Sequence, residues 1–189
     1  MARPAKMIMI IGANRTGKTT LLKNILAMSG QRALVITPDY TEWNDKDAYG
    51  NDLYPLNELA TRDDYVFTGI QRHIFNSRTL AAVKAFKKGI IVFDDCRTYL
   101  GDRTDEQIHN LMIRRGQRMV DFIAVTYSFT EMPRRFFPFT SDIFLFQTKD
   151  AIDLRSGVAL NVDDLKRIQA EVNAKARTNK HYYTHISYE

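Results

Sequence analysis

A glycine-rich turn near the start of the chain carries the residue types that bind nucleotide phosphates. Gly12, Gly17, Lys18 and Thr19 fit the spacing G-x-x-x-x-G-K-S/T, between an apolar run, MIMII, and a helical pattern, KTTLLKNILAM. In such a loop, backbone N–H groups surround the phosphates, the lysine contacts the β and γ oxygens, and the hydroxyl binds Mg²⁺. The sequence therefore predicts a site for a nucleoside triphosphate, taken to be ATP, and Mg²⁺. The other residues of this predicted nucleotide-binding loop are Ala13, Asn14, Arg15, Thr16 and Thr20.

Two acids end a second apolar run, IIVFDD, at residues 90–95. An acid at the carboxyl end of a strand beside the loop can hold Mg²⁺ through water, and this role is assigned to Asp94. A second carboxylate, Asp95, would then lie close to the γ-phosphate, where it could act as general base for an attacking water. This pair favours hydrolysis over transfer to a small molecule, and two merely solvated acids are the alternative interpretation.

The elements that must position these residues alternate along the chain. Apolar runs typical of buried parallel strands lie at 6–11, 32–37, 90–95, 120–126 and 142–148, and a short strand is predicted at 64–68. Helices are predicted from residue 18 to Gly30, from 78 to Gly89, from a capping box of Thr104 and Gln107 to about Gly116, and from the N-cap Asn161 onward. The alternating run 181–188 predicts a last strand. This order predicts an α/β three-layer sandwich, a RecA-like P-loop NTPase fold with a largely parallel central sheet.

Composition points to a globular protein of one domain. The 189 residues are 44% hydrophobic and 26% charged, with a formal net charge of +5. No apolar run approaches the roughly 18 residues that span a bilayer, so we expect no stable membrane insertion. We predict a single domain, 1–189, with a core at about 6–155 and the helix and strand of 161–189 as an appendage. The lone Cys96 is interpreted as a small buried hydrophobe.

Three further patterns have plain structural interpretations. The basic run 71–88 is interpreted as a solvated helix face, although it could meet a polyanion. The phenylalanines of PRRFFPF are interpreted as core or interface residues rather than a stacking groove for DNA. His181 and His185 share one face of a strand or helix but lack the further ligands that a metal site needs.

The second half of the chain resembles the FtsK and HerA superfamily of DNA-pumping ATPases. The stretch RRGQRMVDFIAVTYSFTEMPRRFFPFTSDIFLFQT gives a basic helix end, a glycine, an apolar strand ending in Thr, a loop with proline and a further strand. Together with the ending of IIVFDD, this order looks most like the viral genome-packaging branch, which includes poxviral and internal-membrane phage packaging ATPases. The resemblance covers about residues 6–155 and implies rings, usually hexamers, that hydrolyse ATP between subunits and drive DNA through a central channel.

The resemblance also implies roles for particular residues. Lys18 and Thr19 match the nucleotide loop, Asp94 the magnesium acid, and Asp95 the catalytic acid, although the superfamily more often has Glu there. Arg115, or its neighbour Arg114, matches an arginine that reaches into the next subunit's site. Thr126 stands where the family usually has a Gln sensor. The loop after Asp95, with Arg97 and Arg103, is placed to couple hydrolysis to a channel contact.

The sequence supports one leading function and several alternatives. The leading hypothesis is a ring-forming ATPase that translocates DNA and packages a viral genome. Its partners would then be DNA and capsid or portal-vertex proteins, in the host cytoplasm or at a capsid vertex. The alternatives are a HerA-type or Zot-like translocase outside packaging, a P-loop small-molecule kinase, or a structural subunit that binds ATP without turnover.

Overall fold

The computed structural model describes residues 4–38, 42–56, 68–100, 106–152 and 161–188. Seven strands form one sheet in the order β3-β2-β4-β5-β1-β6-β7. The strands are β1 (Met7–Ile11), β2 (Ala33–Thr37), β3 (Ile70–Ile74), β4 (Gly89–Phe93), β5 (Val120–Thr126), β6 (Asp142–Phe146) and β7 (Tyr183–Ser187). All neighbouring strands are parallel except β6 and β7, which pair antiparallel. The carboxyl ends of the first six strands therefore point to the same edge of the sheet.

Five helices connect or flank these strands within the described ranges. They are α1 (Lys18–Ser29), α2 (Thr79–Ala85), α3 (Glu106–Ile113), α4 (Arg115–Arg118) and α5 (Val162–Lys175). Two 3₁₀ turns follow β4 and β5, at Cys96–Thr98 and Arg134–Phe139. No helix in the described ranges is long and apolar enough to cross a bilayer.

The core lies on both faces of the sheet because side chains alternate along each strand. On one face, Ile10 packs with Leu22 and Leu26 of α1. On the other face, Met9 and Ile11 pack with residues of α2, α3 and α5, among them Val83, Met112 and Leu165. Each fully buried side chain of this size contributes roughly 1.5–3 kcal/mol relative to leaving it in water. Helices on both faces of a largely parallel sheet give the predicted three-layer α/β sandwich.

Most predicted elements are present, with corrected bounds. The helix predicted at 78–88 ends at Ala85, and the strand predicted at 142–148 ends at Phe146. The helix predicted to run to Gly116 stops at Ile113, and a separate short helix, α4, contains that glycine. The sequence did not predict β3, whose polar residues hide the strand pattern. The predicted strand at 64–68 and the capping residue Thr104 lie outside the described residues.

The C-terminal segment is built into the same sheet. Asn161 caps α5 as predicted, since its side chain accepts hydrogen bonds from the backbone N–H groups of Asp163 and Asp164. The last strand, β7, pairs with β6 along its whole length, and Leu165 of α5 is fully buried in the larger core cluster. Whether residues 1–189 form one domain with this segment as an appendage stays a prediction.

The other structural interpretations also have clear outcomes. Cys96 is buried, as are Phe136 and Phe137 of PRRFFPF, whereas Arg134 and Arg135 are exposed. The core interpretation of those phenylalanines is therefore confirmed. The basic run 71–88 spans the edge strand β3 and the helix α2 rather than a single helix face.

Candidate functional site

The phosphate loop is fixed at the carboxyl edge of the sheet. It follows β1, and its first two residues are anchored on either side, because Gly12 N donates to Thr126 O at 3.2 Å and Ala13 N donates to Gln147 O at 2.7 Å. A Cβ at Gly12 would lie only 2.4 Å from Cβ of Phe146. The first glycine of the motif is therefore required for the loop to pass this close to β6.

The loop then turns into the N-terminus of α1. Arg15 (φ 61°) and Gly17 (φ 103°) adopt left-handed conformations, and the Thr16 hydroxyl donates to Ala13 O at 2.8 Å. The helix begins at Lys18 with no side-chain cap on its first N–H groups. Uncapped N–H groups at a helix start attract anions.

Lys18 is the cation of the site. Its side chain is buried, with 9% of the residue exposed; its ammonium donates to Ala13 O at 2.9 Å and lies 4.9 Å from the centroid of the Tyr127 ring. Burial lowers the pKa of the Lys18 ammonium from its usual value, and the negative charges of Asp94 and Asp95 oppose this effect. A partly desolvated ammonium interacts strongly with a phosphate, because little water competes for it.

Asp94 is a buried carboxylate held by a tryptophan. It directly follows β4, is 2% exposed, and accepts a hydrogen bond at 2.8 Å from the indole Nε1–H of Trp43 to its Oδ2. Burial raises the pKa of Asp94 to about 6, although the indole donor works in the opposite direction. A buried carboxylate with a raised pKa gains from a nearby cation, so the residue suits the predicted magnesium role.

Asp95 has one carboxylate oxygen in a hydrogen bond and the other without a partner among the described residues. Its backbone is left-handed (φ 48°, ψ 49°), a conformation that Asp tolerates better than most residues. Its Oδ2 accepts a hydrogen bond from the Tyr127 hydroxyl at 3.0 Å, and its Oδ1 is buried with no hydrogen-bond partner among the described residues. Burial, with the Asp95 hydrogen bond second, raises the pKa of Tyr127 to about 12. The tyrosine therefore stays a donor that orients the carboxylate.

The predicted phosphate residues surround one cavity of about 230 Å³, here called the phosphate cavity. Glu42, Val125 and Tyr127 form part of its lining. The other nine lining residues are all predicted site residues: Asn14, Arg15, Gly17, Lys18, Thr19, Thr20, Asp94, Asp95 and Thr126. The predicted residues Gly12, Ala13 and Thr16 shape the loop behind this lining. Thr126 lines the cavity, and its hydroxyl is buried without a hydrogen-bond partner in the described part of the chain.

The donor set of the phosphate cavity fits Mg²⁺. Thr19, which has a hydroxyl, and Asp94, which has a carboxylate, are both lining residues of the cavity. Mg²⁺ prefers oxygen ligands and keeps several waters. No group of three or more His, Cys, Asp or Glu able to hold a metal occurs in the described ranges. The lining therefore allows Mg²⁺ to have two protein oxygens as ligands, with nucleotide phosphates and water as the others.

The two predicted arginines lie away from the phosphate cavity of their own chain. They precede β5 and therefore lie at the amino edge of the sheet, opposite the loop. The Arg115 guanidinium donates to Ala5 O at 3.2 Å and to Met112 O at 3.1 Å, and it lies 5.2 Å from the centroid of the Phe139 ring. Arg114 is exposed. Of the two, Arg114 is the more exposed to another molecule, since Arg115 is partly buried.

The channel-coupling residues are described only in part. Arg97 follows Asp95 in the 3₁₀ turn and pairs with Glu131. Arg103 lies outside the described residues. The coupling role of this loop stays a prediction.

Sequence reasoning missed the segment that covers Asp94. The sequence assigned no role to residues 38–77. Within them, Trp43 is fully buried and packs edge-on against Tyr54, with ring centroids 4.9 Å apart. Lys23 of α1 fixes this segment through Glu42 O at 2.8 Å and through an ion pair with Asp45. A single tryptophan in a polar, turn-rich stretch was the available signal, because such a residue needs a partner for its N–H when buried.

Trp43→Phe is expected to raise the Mg²⁺ concentration needed for half-maximal nucleotide turnover by about 10-fold, the usual scale for losing a group that orients a metal ligand. The substitution keeps a buried ring but removes the N–H that holds Asp94 Oδ2. Turnover measured against Mg²⁺ concentration checks this. Tyr54→Phe is the matched control, since it removes a polar atom from the same aromatic pair without contacting Asp94. An unchanged Mg²⁺ requirement in Trp43→Phe would contradict the orienting role.

The two C-terminal histidines have separate partners. His185 Nε2 lies 2.7 Å from Asp142 Oδ1, and its ring stacks on Phe144. His181 Nδ1 lies 3.1 Å from Thr16 O of the phosphate loop. They are not joined in a metal cluster in the described ranges.

Comparison with known proteins gives matches among solved structures. No protein-family model and no curated protein matches the sequence. The genome packaging NTPase B204 from Sulfolobus turreted icosahedral virus 2, in complex with AMPPCP, is 13% identical, with a TM-score of 0.63 and coverage of 98% of this chain and 94% of that one. B204, the DNA-packaging ATPase from Sulfolobus turreted icosahedral virus, is 16% identical with the same TM-score and coverage. The N-terminal domain of zonular occludens toxin from Neisseria meningitidis is 10% identical, with a TM-score of 0.50 and coverage of 99% and 96%.

These likenesses concern the fold. The chain has the mixed α/β fold of its structural neighbours, a RecA-like P-loop NTPase fold with a seven-stranded, largely parallel sheet. The predicted fold class is confirmed.

Proposed function

We propose that this chain is an ATPase that assembles into a ring, couples ATP hydrolysis to DNA translocation, and packages a viral genome into a capsid. The observation that carries the hydrolase part is Asp95, which lines the phosphate cavity. Tyr127 holds its Oδ2, and its buried Oδ1 has no hydrogen-bond partner among the described residues. A carboxylate so oriented, beside a lysine and a second acid, suits water activation next to a phosphate.

The reaction follows from these positions. Lys18 and the N–H groups at the start of α1 bind and orient the phosphate chain, and Asp95 Oδ1 accepts a hydrogen bond from a water. The water oxygen bonds to the γ-phosphorus, the bond from that phosphorus to the bridging oxygen of the β-phosphate breaks, and the water proton passes to Asp95. Thr19 and Asp94 would hold Mg²⁺, which would supply positive charge to offset that of the phosphates.

Ring formation is proposed from the placement of the arginines. The phosphate cavity lies at the carboxyl edge of the sheet and Arg114 at the amino edge, so neither can complete the other within one chain. In a head-to-tail ring, taken to be a hexamer, the amino edge of one subunit would face the loop of the next. A guanidinium supplied across that interface would stabilise the charge that develops on the transferred phosphate.

Packaging as the purpose is supported by the solved neighbours. B204 is described as a genome packaging NTPase and a DNA-packaging ATPase, and by likeness we propose the same role here, with capsid or portal-vertex proteins as partners in the host cytoplasm or at the vertex. The second candidate function is the Zot-like translocase outside packaging that the sequence left open, and the N-terminal domain of zonular occludens toxin has a similar fold.

Double-stranded DNA is expected to raise the ATPase rate at least about 5-fold, since coupling between two binding sites is typically worth 1–3 kcal/mol. Phosphate release is measured without nucleic acid, with double-stranded DNA, with single-stranded DNA, and with candidate small phosphate acceptors. An ATPase rate that neither form of DNA changes would count against translocation. A rate of ATP consumption that rises with a small acceptor would favour the kinase alternative.

A further inference from the structure

A second cavity borders the end of the phosphate loop and α1. It measures about 300 Å³ and is here called the base cavity. Its lining is shared between the loop, α1 and the C-terminal strands: Gly17, Thr20, Leu21, Asn24, Phe146, His181 and Tyr183. We propose that it binds the purine base and ribose of the nucleotide whose phosphates occupy the phosphate cavity. This inference rests on the proposed function, because it presumes that the substrate is a nucleotide.

The two cavities share part of the loop and the first turn of α1 as lining. Gly17 and Thr20 line both, so a phosphate chain held by the loop leaves the phosphate cavity next to the first turn of α1. Thr20 and Asn24 are four residues apart on that helix and therefore lie one above the other on the same face. A nucleoside attached to the last phosphate of the chain would extend along this face.

The base cavity offers flat aromatic surface. Phe146 is buried at the end of β6, and its ring centroid lies 5.0 Å from that of Tyr183 on the neighbouring strand. Tyr183 itself is 40% exposed, so its ring is accessible from solvent. Purine bases have large π faces that stack on such side chains irrespective of their hydrogen-bonding edges.

Polar groups border the aromatic surface. The Asn24 amide offers both a donor and an acceptor, which an adenine edge or a ribose hydroxyl can use. The lining contains no carboxylate, and a carboxylate is the group that would best accept from the two N–H donors of guanine. The chemistry therefore favours a purine held by stacking, with adenine accepted.

His181 links the base cavity to the loop conformation. Its Nδ1 lies 3.1 Å from Thr16 O, and because a carbonyl only accepts, Nδ1 is the donor of this hydrogen bond. The same Nδ1 would lie 3.2 Å from a Cβ at Gly17. The imidazole is thereby held against the phosphate loop, in position to contact the nucleoside.

His181→Ala and Tyr183→Ala are expected to weaken ATP binding by about 10-fold each, since one stacking or polar contact is commonly worth a factor of this size. Inorganic tripolyphosphate has no base and so cannot contact either side chain in the base cavity. Its affinity should therefore change less than about 2-fold in both variants. Calorimetric titration of each variant with ATP and with tripolyphosphate measures both. Tyr183→Phe keeps the ring and should bind ATP as the unaltered protein does.

Two controls separate a lost contact from a folding defect. His185→Ala removes the other C-terminal histidine, which contacts Asp142 and Phe144 outside the base cavity, and should leave ATP affinity unchanged. Thermal melting of every variant reports folding. Unchanged ATP affinity in both His181→Ala and Tyr183→Ala, or an equal loss for ATP and tripolyphosphate, would overturn the base cavity and leave the proposed ATPase standing. An unaltered protein that binds neither compound would overturn the proposed function itself.

Discussion

Asp95→Asn is expected to lower ATP turnover by at least about 100-fold while ATP still binds, because a positioned general base typically contributes 10²- to 10⁴-fold. The amide has nearly the shape of the carboxylate, so it can still accept from Tyr127, whose hydroxyl lies 3.0 Å from Oδ2. It cannot take a proton from water. Phosphate release under saturating ATP, with binding measured separately by calorimetry, checks the expectation.

The control for Asp95→Asn is an acid-to-amide change at the surface. Glu171→Gln alters a carboxylate that pairs with Lys175 on the exposed face of α5, and it should leave turnover unchanged. Turnover that persists in Asp95→Asn would remove this residue from the reaction. Loss of ATP binding in the same variant would indicate that Asp95 shapes the site rather than acting on water.

Mixing two inactive variants is expected to restore part of the activity if an arginine acts across a subunit boundary. Lys18→Ala removes the cation of the phosphate cavity and should abolish turnover as a homo-oligomer, and Arg114→Ala should do the same by removing the group supplied to the neighbour. In random rings made from equal amounts of both, roughly one interface in four combines an intact Lys18 with an intact arginine from the next subunit. Recovery towards a quarter of the unaltered rate is therefore the expected result.

The same experiment distinguishes the two candidate arginines. Arg115 donates to Ala5 O and Met112 O and packs on Phe139, so Arg115→Ala should lower the melting temperature, whereas Arg114 is exposed and its loss should not. Arg115→Ala mixed with Lys18→Ala is run in parallel. Recovery only with Arg115→Ala would identify Arg115 as the group that acts across the boundary. No recovery with either variant would count against the role in trans.

Much of the fold could be predicted from the sequence because its signals are local. The buried strands have continuous apolar runs, and helix ends are marked by Gly30 and Asn161. The edge strand β3 was missed because only one of its residues is buried, so its pattern carries little hydrophobic signal. The bounds of α2 and α3 were too long because periodicity shows where a helix could continue but not where tertiary contacts end it.

The candidate site divides in the same way. The motif spacing and the two acids after β4 were sufficient to predict that loop and carboxylates meet, because parallel strands place their carboxyl ends at one edge. In the structure, Lys18, Asp94 and Asp95 all line the phosphate cavity. The roles of these residues stay predictions until turnover is measured.

Only the tertiary structure decided which side chains hold and complete that site. Trp43 contacts Asp94 from 51 residues away, Tyr127 contacts Asp95 from 32, and His181 contacts Thr16 from 165. It also placed Arg115 against the backbone of Ala5 and left Arg114 exposed. A local pattern determines which strand or turn a residue joins, and this sequence determined the phosphate loop and the order of the elements. The partner of a buried polar group depends on how segments that are distant in sequence pack together. The spacing of residues along the chain does not show which of these segments will meet.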